Sequence, residues 1–173
     1  MAKKILITGG CRSGKSRRAL ALAQNISGEK LYLATAEALD SEMKERIGKH
    51  QRERGAEWKT HEEPIDLVPV FKKLEHRSGV LILDCLTLWI SNLMVKRQEH
   101  DFILNEADRL IGQSEKMQCQ VIVVTNEVGA GIVPDNKLAR DYRDLVGEIN
   151  QRFAQRFDEV IHMVSGIPVV LKP

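Results

Sequence analysis

Lys4-Ile5-Leu6-Ile7-Thr8-Gly9-Gly10-Cys11-Arg12-Ser13-Gly14-Lys15-Ser16 is the stretch on which the fold assignment turns. Its first five residues form a short apolar run of strand character. Residues 9–16 then match G-x-x-x-x-G-K-[ST] in full, and a helical pattern follows. Gly9, Gly10 and Gly14 let the chain turn tightly, so that the N–H groups around Cys11, Arg12 and Ser13 face inward on a phosphate. The start of the next helix favours the same anion. In such a loop Lys15 reaches the β- and γ-phosphates and the Ser16 hydroxyl ligates Mg²⁺. A glycine-rich turn with a chance lysine would not need a buried strand before it and a helix after it.

Outward from this loop, apolar runs alternate with helical periodicity. Strands are predicted at 4–8, 30–35, 80–84, 120–125 and 160–164, with a short last one at 168–171. Their unbroken Val/Ile/Leu character predicts burial on both faces, as in parallel sheets. Helices are predicted at 13–24, from Asp40 or Ser41 to Gly55, and at 86–96, 101–117 and 136–157. The order predicts an α/β fold, a mostly parallel sheet with helices on both faces. Residues 55–79, with Trp58, Thr60, His61, Glu62, Glu63 and Pro64, are the least regular and read as an excursion from the core. No repeat, low-complexity tract or linker interrupts the chain, so residues 1–173 are read as one catalytic domain.

Composition narrows the class. Lys and Arg number 26 against 24 Asp and Glu, a formal charge of +2, too balanced for a strongly basic nucleic-acid footprint. Runs such as 80–83 and 121–124 are far short of a membrane span. Met1-Ala2-Lys3-Lys4 leads into a strand without a secretory apolar region. Cys11, Cys85 and Cys119 are odd in number and lack a C-x-x-C pair, so they read as reduced thiols of a cytoplasmic protein.

A phosphate loop of this kind works with an acidic residue that ends another buried strand. Val80-Leu81-Ile82-Leu83-Asp84 supplies one, and Asp84 with Ser16 forms the candidate Mg²⁺ pair. A signalling GTPase would carry N-K-x-D and D-x-x-G after buried strands. Asn136-Lys137-Leu138-Ala139 lacks the final Asp, and Asp144-Leu145-Val146-Gly147 falls inside a helical pattern. The second helix sets Arg46, His50 and Arg54 along one face, with Met43 and Ile47 able to pack inward. One reading is a solvated charged helix with an incidental histidine. The other is a neutral imidazole, among cations that bind polyphosphate, placed to attack phosphorus. His61 lies close enough to assist. His76 and His100 read as surface residues and His162 as structural, and no pair has zinc spacing. Asn126-Glu127 directly follows a buried strand, where open α/β sheets bind ligands, and is either a substrate or inter-subunit contact or a satisfied polar turn. Arg140, Arg143 and Asp144 on the next helix are either neighbours of that turn or an exposed face.

Taken together the chain resembles the bifunctional adenosylcobinamide kinase/adenosylcobinamide-phosphate guanylyltransferase family. The resembling segments are GGCRSGKS at 9–16, YLATA at 32–36, DSEMKERIGKHQRERGAEWKTHEEP at 40–64, LDCLTLWISNL at 83–93, TNEVGAGIVPDNKLARDYRDLVGEINQRFA at 125–154 and VSGIP at 164–168. Cys11 stands where the family commonly has Ala. The resemblance implies a recombinase-like P-loop NTPase core with a short C-terminal strand pair. It also implies phosphorylation of adenosylcobinamide with ATP or GTP, followed by transfer of GMP from GTP through a covalent GMP-histidine to adenosylcobinamide phosphate. It implies His50 as nucleophile and Lys15 as a catalytic cation. Gly9–Ser16 by sequence, together with Ala34, Thr35, Ala36, Gln51, Arg52, Glu53, Arg54, Glu62 and Asp84, match nucleotide positions of the family. Mg²⁺ with GTP or ATP, corrinoid substrates and a homotrimer are implied as well. Because attack at the γ- and at the α-phosphorus must use one loop, the His50 helix is expected to move between the two steps. Two other functions stay open on the residues alone. One is a small-molecule kinase without nucleotidyl transfer. The other is a recombinase-like nucleic-acid-binding module, which the two Trp, two Tyr and four Phe support little.

Overall fold

The computed structural model describes residues 2–37, 41–97 and 99–173, with the side chains of 42, 43, 46, 49, 50, 53 and 97 outside the description. The chain runs β1 (Lys4–Gly9), α1 (Lys15–Gln24), β2 (Glu29–Ala34), α2 (Ser41–Arg54), β3 (Trp58–Glu62), α3 (Leu67–Leu74) and β4 (Gly79–Asp84). It continues through α4 (Leu86–Arg97), α5 (His100–Lys116), β5 (Gln120–Val124), α6 (Lys137–Arg156), β6 (Glu159–Val164) and β7 (Ile167–Lys172). All seven strands form one sheet in the order β3-β2-β4-β5-β1-β6-β7. Every pairing is parallel except β6 with β7.

The predicted α/β architecture is the observed one. β1, β4 and β5 are buried on both sides through their apolar lengths, as their unbroken Val/Ile/Leu runs require. One face of the sheet carries Leu6, Leu31, Leu33, Leu81, Leu83 and Val123 against α3, α4, α5 and α6. The other carries Ile5, Ile7, Tyr32, Ile82 and Val124 against Ala19 and Ala23 of α1. Asn136 caps α6, its side-chain oxygen accepting from the Ala139 N–H at 3.3 Å. Gly55, with φ of 80°, follows α2 as a left-handed terminator.

Two sequence expectations need correction. Residues 55–79 are no excursion: they hold β3, an edge strand paired with β2, and α3. Trp-Lys-Thr-His-Glu is mostly exposed at that edge, so it lacks the apolar run of a central strand. α3 contains Pro69, at its third residue, where the missing N–H has no intrahelical partner to lose. Leu67, Val68, Phe71 and Leu74 of α3 are buried in the main core. Second, β7 is apolar but exposed along nearly its whole length, so its valines report no burial. Asp40, one of two caps considered for α2, lies outside the described residues.

Phe71→Ala should therefore destabilise the fold by about 3–5 kcal/mol, the range for truncating a buried Phe. Urea unfolding would measure it, and a loss below about 1 kcal/mol would place α3 outside the core.

Candidate active site

Parallel pairing sends the ends of β1, β2, β4 and β5 to one edge of the sheet, and a cavity of about 820 Å³ opens there. Its floor is the loop between β1 and α1. Gly9 leaves β1 with φ of 144°, and a Cβ there would sit 2.5 Å from the Met163 carbonyl oxygen. Gly14, with φ of 96°, opens α1. Any other residue would be strained at both places, which is the physical content of the motif's glycines. Lys15 is buried, and its Nζ donates to the Gly10 carbonyl at 2.6 Å. The Ser13 hydroxyl is buried on the cavity wall without a hydrogen-bond partner among the described residues. A buried hydroxyl left so is costly unless a ligand satisfies it, which fits a bound phosphate.

Opposite the loop stands Asp84 at the end of β4. The Tyr32 hydroxyl donates to its Oδ2 at 2.6 Å, and the Arg54 guanidinium lies 3.7 Å from the centre of the Tyr32 ring. Trp58 meets the same ring edge-on at 6.1 Å. Burial, and then the Asp84 charge, push the Tyr32 phenol far above its ordinary pKa, so it stays a donor. The turn after Asp84 is fixed by Thr35, whose Oγ1 donates to the Cys85 carbonyl at 2.8 Å and accepts from the Cys85 N–H at 2.9 Å. Burial, and then Asp84, also raise the Cys85 thiol, which keeps it protonated and a poor nucleophile although it lines the cavity.

Of the residues expected from sequence, Cys11, Arg12, Ser13, Gly14, Lys15, Ser16, Ala34, Ala36, Gln51, Arg54, Glu62 and Asp84 meet at this cavity. Gly9 and Gly10 shape the loop, with Gly10 lining a smaller hollow behind it beside His162. Thr35 is fully buried and serves the backbone around Asp84 rather than the cavity wall. Arg52 is exposed and is not among the residues that line the cavity. His50 belongs to α2, one residue before Gln51, but its side chain and that of Glu53 lie outside the described residues, as does that of Arg46. His61 pairs in register with Leu33, whose side chain faces the opposite side of the sheet, and it does not line the cavity. His76 and His100 are exposed, as expected. Arg140 holds the Pro134 and Asp135 carbonyls, and Arg143 pairs with Asp144, both away from the wall.

Sequence reasoning gave no role to Tyr32, Arg17, Leu20, Leu88, Ser165 or Gly166, all of which line the cavity. Tyr32 had a usable signal, since it lies two residues before Ala34 and period-2 alternation puts both on one face. Ser165 and Gly166 were signalled only by the resembling VSGIP segment, since the parallel pairing of β6 with β1, remote in sequence, brings the turn after β6 to the loop, where the Gly166 N–H donates to the Ser13 carbonyl at 3.0 Å. Among the described residues no helix is long and apolar enough to cross a membrane.

A glycine-bounded loop between strand and helix, facing an aspartate on a strand two places away, defines a P-loop nucleotide-binding protein. The architecture agrees with an ATPase of a bacterial type III secretion system, at a TM-score of 0.63 and 12% identity, over 95% of this chain and 52% of that one. This chain thus spans about half the length of that ATPase, and the likeness concerns the fold alone. A family model described as cobinamide kinase / cobinamide phosphate guanyltransferase matches residues 5–171, and the chain belongs to that family. It is 40% identical to the bifunctional adenosylcobalamin biosynthesis protein CobU of Salmonella typhimurium, over 97% of this chain and 99% of the relative. It is 39% identical to the bifunctional protein CobP of Pseudomonas aeruginosa, over 96% of each.

Tyr32→Phe and Asp84→Ala should not be additive in urea unfolding. A coupling of about 1–3 kcal/mol is expected for a charge-assisted bond at this distance. Additivity would mean the phenol and carboxylate are not paired in solution.

Proposed function

We propose that this chain phosphorylates adenosylcobinamide with ATP or GTP, and then joins GMP from GTP to the product, giving adenosylcobinamide-GDP and pyrophosphate. Family membership supports the activity. The observation that carries its placement is the single cavity holding both the phosphate loop and the α2 face formed by Ile47, Gln51 and Arg54. In the first step the substrate's hydroxyl oxygen bonds the γ-phosphorus, the bond to the β–γ bridging oxygen breaks, and the nucleoside diphosphate leaves. In the second, a nitrogen of His50 attacks the α-phosphorus of GTP and releases pyrophosphate. A phosphate oxygen of adenosylcobinamide phosphate then displaces that nitrogen. Splitting the transfer into two displacements is the usual benefit of a covalent intermediate.

Lys15 and the loop N–H groups would hold the β- and γ-phosphates and stabilise the charge that develops on them. Arg12, Arg17 and Arg54 line the same cavity and add positive charge. Ser16 and Asp84 would hold Mg²⁺, which neutralises polyphosphate charge when bound. Among the described residues no three His, Cys, Asp or Glu side chains gather as a ready metal site. Phosphate oxygens would complete the ion's ligands, as is common for this cation. Ala34, Ala36, Gln51, Arg52, Glu53 and Glu62 are assigned to the nucleotide, Gln51 and Glu62 lying 3.5 Å apart across the wall. Thr35 acts on the nucleotide through the backbone of Asp84 and Cys85. The whole chain acts as one catalytic domain, since strands from both ends belong to one sheet. We assign it a homotrimeric state, for which the exposed Ile167, Val169 and Leu171 of β7 offer an apolar subunit surface.

With [α-³²P]GTP the protein should take up acid-labile, alkali-stable label, and His50→Ala should take up none; retained label would reject His50 as the nucleophile. Lys15→Ala should slow both reactions by about a hundredfold or more. An unchanged kinase rate there would reject the shared site. Light scattering after gel filtration should give three chains per particle, and Val169→Glu should lower that number. A monomer before substitution would overturn the trimer.

A further inference from the structure

After β5 and Thr125 come Asn126 and Glu127, and the structure sends these two different ways. The Glu127 carboxylate turns back to accept from the Gly129 N–H at 3.0 Å, inside its own loop. Asn126 instead lines the nucleotide cavity. Its position follows from the sheet. β5 lies between β1, which feeds the phosphate loop, and β4, which ends in Asp84. Val124 is level with both Ile7 and Asp84, so Asn126 stands two residues above them, in the gap between the loop and the aspartate. The Glu127 N–H, bonded to the Gly9 carbonyl at 3.0 Å, fixes the next residue against the loop's first glycine.

The side chain is also held. Asn126 Nδ2 donates to Thr87 Oγ1 at 3.3 Å, and Thr87 is buried with its own carbonyl accepting from the Tyr142 hydroxyl at 3.1 Å. The Asn126 backbone carbonyl accepts from Asn150 Nδ2 at 3.1 Å, while Asn150 Oδ1 accepts from the Thr125 hydroxyl at 2.7 Å. Helices α4 and α6 thus brace a small amide at the cavity wall. A carboxamide has two N–H donors, and one goes to Thr87.

In a phosphate loop the lysine reaches the β- and γ-phosphates, so a group between it and the metal-side aspartate faces the terminal phosphate. The geometry points to Asn126 as a donor to the γ-phosphate, a contact that gains strength in the kinase transition state and gains none in attack at the α-phosphorus. As the γ-phosphorus bonds the incoming hydroxyl oxygen and its bond to the bridging oxygen breaks, the amide stabilises an equatorial oxygen. The hydroxyl proton passes to water. A neutral donor suits this place, because Asp84 stands on the other side and a carboxylate here would repel the phosphate. The inference rests on the kinase reading for its acceptor, and on the cavity geometry for the rest.

The test separates the two. Binding of ADP and of a β,γ-imido ATP analogue is measured for the wild type, Asn126→Ala and Asn126→Asp, with thermal unfolding of each. Loss of one hydrogen bond to a charged group predicts that preference for the triphosphate analogue over ADP falls about tenfold in Asn126→Ala. It should fall further in Asn126→Asp, with ADP binding and melting close to wild type. The kinase kcat should drop about a hundredfold in Asn126→Ala. The rate of label uptake from [α-³²P]GTP, at concentrations that saturate each variant, should change by no more than about threefold. Equal weakening of ADP and the analogue, or parallel loss of both half-reactions, would make Asn126 a structural brace and overturn the inference. If the wild type phosphorylates no corrinoid, the kinase reading fails, and the triphosphate-to-diphosphate comparison still decides the role of Asn126.

Discussion

Parallel pairing of β4, β5 and β1 is the constraint on which the rest of the molecule depends. Parallel strands joined by helical crossovers deliver every carboxyl end to the same edge of the sheet. Three adjacent strands can then bring Asp84, Asn126 and the phosphate loop together, although they are far apart in sequence. Register decides whether this works. Ala34 is level with Asp84, and Tyr32 sits two residues lower on the same face, so its hydroxyl reaches the carboxylate. A one-residue slip of β2 would turn Tyr32 into the helix layer and expose Leu31 and Leu33 to the cavity side. The apolar cores on both faces oppose that slip, so the packing energy of the sheet also holds the geometry of the site.

The two walls of the cavity are built differently. The loop wall is backbone, fixed by Gly9 and Gly14 and backed by Met163 and Gly166. The α2 wall is a strongly charged helix, whose composition gives it little apolar surface with which to hold itself down. Arg54, buried over the Tyr32 ring at its last turn, is a main anchor among its described side chains. A rigid phosphate cradle facing a lightly anchored helix suits the proposed pair of reactions, with attack at the γ-phosphorus of one triphosphate and at the α-phosphorus of the next. The stacked arginine also ties that helix, through Tyr32, to the carboxylate of Asp84.

Legibility in the sequence followed the physical origin of each feature. β1, β4 and β5 were readable because burial on both faces leaves nothing but Val, Ile and Leu. The loop was readable because its glycines answer a backbone requirement that no other residue meets. β3 was not, since an edge strand needs partners for its backbone and little from its side chains. α3 was hidden by Pro69, which breaks a helix interior but not a first turn. Among site residues, those within the loop and along α2 were local in sequence and could be listed. Ser165 and Gly166 reach the cavity once β6 pairs with β1 and the chain turns back into β7, and Asn126 and Glu127 together read as contacts or as a satisfied turn, which the structure divides by bonding Glu127 to its own loop.

That same pairing links the outer edge of the sheet to its chemistry. β7 leaves apolar side chains open on both faces, and such an edge invites another chain. Its hairpin turn hydrogen-bonds the phosphate loop at Ser13 and lines the cavity beside Arg12 and Gly14. A partner on β7 would therefore sit one tight turn away from the phosphate loop. For a chain of 173 residues with a near-neutral charge, this is an economical arrangement. On the proposed function, a cavity of about 820 Å³ that holds a nucleotide would leave the corrinoid macrocycle resting largely on surface beyond it. In the proposed trimer, a neighbouring subunit on this edge would enlarge that surface without lengthening the chain, next to the loop assigned to the phosphates.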